Sequence, residues 1–225
     1  MNNNSSSINT TYQKKLGLVL GGGGARGLAH IGVLKVLTEN NIPVSFLSGC
    51  SMGGLIASLY AAGLSIDDIE KAARRLNSVR EIVKLIDRTP SRRGLLSGVN
   101  IRKYLKKFIS PDQVIEDTKI PVAVNAVDLI TGKEVILDKG NLLESIMATT
   151  AVPGFFPSVD LGPYRLVDGG MLNDVPVNIL RNTPAEVILA VDVHQRINEK
   201  ALITDDKPYE HIPMPLPSFM QDFYR

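Results

Sequence analysis

Two short apolar runs constrain this chain more than anything else in it. Each is cut off by a glycine-bearing turn and followed by an apolar helical pattern. Leu16-Gly17-Leu18-Val19-Leu20 enters Gly21-Gly22-Gly23-Gly24, and from Ala25 to about Asn40 the periodicity is helical. Val44 to Ser48 enters Gly49-Cys50-Ser51-Met52-Gly53-Gly54, and the helix Leu55 to Ala62 follows, stopped by Gly63. Apolar runs of this length read as buried strands, and strand, helix, strand, helix in this rhythm predicts an α/β chain with a parallel sheet covered by helices. The first helix is apolar on most sides, so it is expected to be largely covered, with Lys35 and Glu39 as an i,i+4 pair.

Further along, Ser65 to Ile109 reads as mostly helical and more charged, interrupted at Arg88-Thr-Pro-Ser-Arg-Arg-Gly94 before Leu95-Leu96. Strands are predicted at Pro121 to Val127 and Glu134 to Leu137, joined by a turn at Thr131-Gly132. A helix from Asn141 to about Thr149 leads into Val152-Pro-Gly-Phe-Phe-Pro157. Tyr164 to Val167 reads as a strand ending at Asp168-Gly169-Gly170, and Ala185 to Val193 as the last clear strand. Three segments follow: a flexible polar tail over 1–14, a catalytic domain over 15–195, and a Pro-rich tail over 196–225 leading into the start of a helix.

Composition removes several classes of function. A net charge of +2 gives no electrostatic case for nucleic acid. The single cysteine, Cys50, excludes an intramolecular disulfide. The Asn/Ser/Thr-rich start lacks the apolar core of a secretory signal, and no apolar run approaches the ~18 residues that span a bilayer. A cytoplasmic protein, able to lie against a membrane, is the expectation. Asp67-Asp68 and Asp205-Asp206 are isolated acidic pairs without a ligand set, so no metal or other cofactor is predicted.

Three turns carry chemistry. Gly22-Gly23-Gly24-Ala25-Arg26-Gly27 fits G-x-G-x-x-G between a strand and a helix, where backbone N–H groups can meet negative charge. A dinucleotide-binding turn fits the same pattern, but it needs an acidic residue closing the second strand, and Val44 to Ser48 has none. That strand ends instead in Gly49-Cys50-Ser51-Met52-Gly53, a G-x-S-x-G turn that would strain a serine and expose its hydroxyl at a helix N-terminus. The third turn, Asp168-Gly169-Gly170, closes a strand with a carboxylate.

In this order, the three turns resemble the signature of the patatin-like phospholipases, from about Leu16 to His194. Thr131-Gly132, Ala148 to Gly154 and Asp168 to Pro176 are also similar to that family, and the compact length resembles small bacterial members of its neuropathy-target-esterase branch. The resemblance implies a three-layer α/β sandwich with a mainly parallel sheet. It implies a serine acyl-hydrolase with Ser51 as nucleophile and Asp168 as general base. Gly22 to Gly27 then form the oxyanion turn, with Arg26 supporting it; Gly49, Cys50, Met52 and Gly53 shape the elbow, and Gly169 and Gly170 the base motif. Cys50 stands where a Thr is more usual, and Thr149 where the family often has Ser.

Rival readings follow from the same residues. Of three histidines, His30 reads as a packing or surface residue and His211 falls in the Pro-rich tail. His194, after a strand, is the candidate for a Ser-Asp-His triad. Cys50 is an alternative nucleophile, though Ser51 holds the motif's centre. A catalytically silent lipid-binding or regulatory protein is the non-enzyme alternative. Arg88, Arg92, Arg93, Arg102, Lys103, Lys106 and Lys107, beside Leu95-Leu96, suit either a solvated face or a patch on anionic lipid. The expected partner is a lipid or acyl-ester substrate; which ester, and the oligomeric state, are left open by the sequence.

Overall fold

The computed structural model describes residues 14–75 and 97–194. The polar start, Arg88, Arg92, Arg93, Leu95, Leu96, Asp205-Asp206, His211 and the Pro-rich tail lie outside the described residues.

In chain order the elements are β1 (Leu16–Leu20), α1 (Ala29–Glu39), β2 (Val44–Gly49), α2 (Ser51–Ala61), α3 (Ile66–Arg75), α4 (Val99–Leu105), β3 (Val122–Asp128), β4 (Lys133–Leu137), α5 (Leu142–Thr149), β5 (Val159–Leu161), β6 (Tyr164–Asp168), α6 (Val177–Arg181) and β7 (Val187–Val191). A short 3-10 turn over Gly24–Leu28 precedes α1, and another over Gly169–Met171 follows β6. The strands form one mixed sheet in the order β5-β6-β3-β2-β1-β7, with β4 on β3. β7, β1, β2 and β3 are parallel, β6 and β4 run against β3, and β5 runs against β6. Five of the seven strands therefore share a direction, as the α/β rhythm predicts.

The two faces of this sheet are unequally covered. One carries the main core, where Leu18, Leu20, Leu34, Leu47, Leu142 and Ile146 are at most 1% exposed. Each such side chain is worth roughly 1.5–3 kcal/mol of burial. On the other face Val19, Ala123, Ile179 and Leu180 form a small cluster under α6.

Helix α1 is less covered than its sequence suggests. His30, Ile31, Leu34 and Leu37 pack inward, while Val36 is 57% exposed. Apolar content alone does not say how many neighbours a helix has; α1 is covered on one side only. Lys35 reaches Glu70 on α3 at 3.5 Å, so the ion pair joins two helices instead of staying within one. Asp67 and Asp68 sit in the first turn of α3, where acidic residues complement the helix dipole. Asp68 also exchanges hydrogen bonds with Ser65, so this acidic pair serves the helix start.

Candidate active site

The position of the site follows from a property of β3. A strand has two edges, and β4 lines one of them from Val124 to Asp128. β2 pairs with Leu47 to Gly49 against Val122 to Val124, and β6 with Leu166 to Asp168 against Asp128 to Ala126. Both must lie on the remaining edge. They run toward each other along it, Gly49 stopping opposite Val124 and Asp168 opposite Ala126, with Asn125 beside the gap. The chain leaving β2 and the chain leaving β6 therefore meet head-on, and the meeting point holds Ser51 and Asp168.

Ser51 opens α2 with φ of +51°, a left-handed conformation that costs a non-glycine residue of order 1–3 kcal/mol. The strained elbow expected of G-x-S-x-G is thus present. Gly53 is required by packing: any side chain there would overlap the carbonyls of Leu20 and Gly21. Gly27 lies against Met52 in the same way, so the glycine-rich turn and the elbow are packed onto each other. Thr149 Oγ1 accepts the Ser51 N–H at 2.9 Å, which gives this departure from the expected serine a structural task that either hydroxyl could perform.

Asp168 is 5% exposed, and its Oδ2 accepts the Ser51 hydroxyl at 2.6 Å. Oδ1 accepts the Gly170 N–H at 2.8 Å and the weak Cys50 thiol donor at 3.7 Å. Burial raises the carboxyl above its ordinary range. The bonds from Ser51, Gly170 and Cys50 pull it down only in part, and the nearby Asp174 charge pushes it up further. Cys50 is fully buried, and burial, followed by the Asp168 charge, drives its thiol far upward. A thiol so held is inert as a nucleophile.

In the glycine-rich turn, the Gly22 N–H donates to Asp174 O at 2.9 Å and the Arg26 N–H to Gly23 O at 3.1 Å. Those two amides are spent on the turn itself. The amides of Gly23 and Gly24 have no backbone partner among the described residues, and Gly24, Ala25 and Arg26 are exposed. His30, fully buried on α1, lies 2.8 Å through Nε2 from Gly21 O. Burial lowers its pKa, and the ring N–H donates that bond, so the packing role expected of it includes fixing the end of β1.

The carboxylate that the sequence reading did not single out is Asp174. Its main chain holds Gly22, and its Oδ2 lies 2.8 Å from His194 Nδ1. His194 also lies 3.4 Å from Asp192. The histidine proposed for a triad is therefore paired with Asp174 and Asp192, while Asp168 bonds the serine directly. Asn125, beside the gap between β2 and β6, donates to Asn173 O at 2.7 Å and to Glu134 at 2.9 Å, and it packs so closely on Gly169 that no side chain fits there. A cavity of about 400 Å³ lined by Phe46, Pro121, Ile136, Ile179 and Asn182 lies elsewhere and contains none of the motif residues.

Comparison with known proteins gives this arrangement relatives. Over 180 residues the chain is 33% identical to an uncharacterized NTE family protein of Mycobacterium tuberculosis, covering 80% of this chain and 49% of that one. It is 32% identical over 182 residues to the neuropathy target esterase of Drosophila melanogaster, covering 79% and 13%. The chain thus spans about half or less of these relatives. Among solved structures, VipD from Legionella pneumophila superimposes with a TM-score of 0.51 at 15% identity, over 73% of this chain and 47% of that one, a likeness of fold. The family model for patatin-like phospholipases matches residues 18–181, from inside β1 to the end of α6, and so takes in all three motif turns. With that match and these identities, the chain belongs to the patatin-like phospholipase family.

Proposed function

We propose that this chain hydrolyses fatty-acyl esters of phospholipids, lysophospholipids or related lipids through a Ser51–Asp168 dyad and an acyl-enzyme. The observation that carries the reading is the 2.6 Å bond from a positive-φ serine to a buried carboxylate held above its usual pKa. Family membership supports the lipid ester as substrate class.

In this mechanism Ser51 Oγ attacks the acyl carbonyl carbon while Asp168 Oδ2 takes its proton. The carbonyl oxygen becomes an oxyanion, to which the N–H groups of Gly23 and Gly24 donate at the entrance to the 3-10 turn. Asp168 then gives the proton to the departing alcohol oxygen as the tetrahedral centre collapses to the acyl-enzyme. Water attacks that ester, Asp168 takes its proton, and the same proton returns to Ser51 Oγ as the fatty acid leaves. An ordinary aspartate, at pKa ~3.9, is a weak base for this work. Burial of Asp168 supplies part of the missing basicity.

A lipid surface is the natural place for such a substrate. The rim of the turn region exposes Leu28 at 39%, Val152 at 37%, Met171 at 60% and Leu172 at 58%, which supports a peripheral contact with lipid. No helix among the described residues is long and apolar enough to cross a membrane. The test is fluorophosphonate labelling with peptide mapping, followed by a panel of acyl esters. Label should map to Ser51, and Ser51→Ala should abolish both label and hydrolysis. Activity surviving that substitution would overturn the assignment.

A further inference from the structure

The loop after Asp168 brings a second carboxylate to the serine. Asp174 Oδ1 fills the space that a side chain at Gly22 would need, and a Cβ there would be 3.4 Å from Ser51 Cβ. A Cβ on Gly170 would be 2.8 Å from the same oxygen and 3.2 Å from Asp168 Oδ1. The two carboxylate oxygens are therefore no more than about 6 Å apart, a range in which like charges alter each other's ionisation. Asp174 Oδ2 faces His194 Nδ1 at 2.8 Å.

We propose that Asp174 and His194 form a positioning pair that sets the base strength of Asp168. Asp174 stands beside it as a second negative charge, and His194 governs how much of that charge Asp168 feels. The inference rests on the reading of Asp168 as the base. A neighbouring carboxylate disfavours the ionised form of Asp168, and what disfavours that form makes it a better proton acceptor.

The groups around Asp174 leave this task to His194. Asp168 approaches from the end of β6 and Asp192 from the segment after β7, both adding negative charge. His30 approaches from α1, where burial lowers its pKa and its Nε2 bonds Gly21 O. Cys50, ahead of α2, is held as the thiol. Burial raises Asp174 itself, His194 lowers it, Asp192 raises it and His30 lowers it. When His194 carries a proton the pair is neutral and Asp168 is the weaker base. When His194 is neutral, the pair is negative and Asp168 is stronger.

Two substitutions should therefore move the acid limb of activity in opposite directions. Asp174→Asn keeps the side-chain shape and the main-chain bond to Gly22 but removes the charge. The acid limb of kcat/KM for a p-nitrophenyl acyl ester should then move to lower pH by roughly 0.5–2 units, the span set by a charge about 6 Å away under strong or weak screening. His194→Gln removes the ring that faces Asp174 and can carry compensating charge, and should move the limb to higher pH, with the plateau changed less than tenfold. The rate of fluorophosphonate labelling at Ser51 should show the same two displacements without any natural substrate.

Limbs that stay in place, or that move together, overturn the proposal, as does loss of activity at every pH in a folded His194→Gln protein. Should Asp174→Asn fail to fold by circular dichroism, the upward displacement in His194→Gln supports the proposal and its absence overturns it. Asp168→Asn separates the two levels of argument. Hydrolysis surviving in that variant overturns the dyad, whereas an inactive Asp168→Asn beside unmoved limbs overturns only the role given to Asp174 and His194.

Discussion

Asp128 and Asp168 stand near each other on paired strands, are 1% and 5% exposed, and are driven in opposite directions. Asp128 accepts N–H groups from Arg165 at 2.9 Å, Thr131 at 3.0 Å and Ile130 at 3.3 Å, and the Thr131 hydroxyl at 2.8 Å. The Arg165 bond leads in pulling its pKa down, burial opposes, and the Thr131 and Ile130 bonds complete the shift. Asp168 has one N–H, one hydroxyl and a thiol, and burial wins. Similar surface exposure thus accompanies a structural anchor where donors surround the carboxylate, and a carboxylate of raised pKa, the base of the proposed dyad, where donors are fewer and desolvation is the leading cause. What the donors at Asp128 hold is the tight turn after β3 and the start of β6.

The largest expected contrast between the two is in rate. Asp168→Asn should lower kcat/KM by about 10⁴-fold, the scale seen when a triad enzyme loses its acidic member. Asp128→Asn should leave the folded enzyme within about threefold of its starting rate. Steady-state kinetics on an acyl ester, with circular dichroism for the fold, reads both.

Thermal denaturation should invert the ranking. A depressed carboxylate stabilises the fold above its unfolded pKa and loses that contribution as pH falls through the folded value. Asp128→Asn should accordingly lower Tm at pH 7, and the gap should close below about pH 4. Asp168 has the opposite sign. Its folded pKa is raised, so burial of the charge opposes folding at neutral pH and ceases to do so below the unfolded value. Asp168→Asn should raise Tm at pH 7 by roughly 1–3 °C, and the gain should vanish in acid. A fall in Tm for this variant would mean that the ionised carboxylate stabilises the fold.

Activity itself should rise with pH through a value above the ordinary aspartate range, since in the proposed dyad Asp168 must lose its proton to act. The smallest expected signal comes from Cys50, whose thiol borders the same carboxylate. Maleimide at neutral pH should leave the native protein unmodified and label it only on unfolding.

Local pattern carried the reading as far as local pattern could. β1, β2 and the three glycine-bearing turns were legible because strand, turn and helix signals follow one another within a few residues. The three-residue β5 was not, because Val159–Leu161 is too short to show a period. β6 was legible as a strand from Tyr164 onward, but its direction was not. Antiparallel pairing with β3 is a fact of topology, and without it the approach of Asp168 to Ser51 has no visible cause. Asp174 was overlooked for a related reason. Its partners Gly22 and His194 come from separate segments, and its only local signal is its place after Asp168-Gly169-Gly170. His194 was noticed by its position after a strand, a cue that brings a residue to the correct end of the sheet without naming its partner.

The head-on approach of β2 and β6 makes β3 a ruler. The spacing between serine and carboxylate is counted in residues of one buried strand, and the surrounding loops do not enter into it. Insertions after Leu161, in the Val152 to Pro157 loop or beyond Met171 can lengthen or reshape the surroundings while the count from Val124 to Ala126 stays the same. A single extra residue in that interval would part the two groups by about 3.3 Å, one strand step. The surroundings of the serine and its distance from the carboxylate are thus written on different parts of the chain.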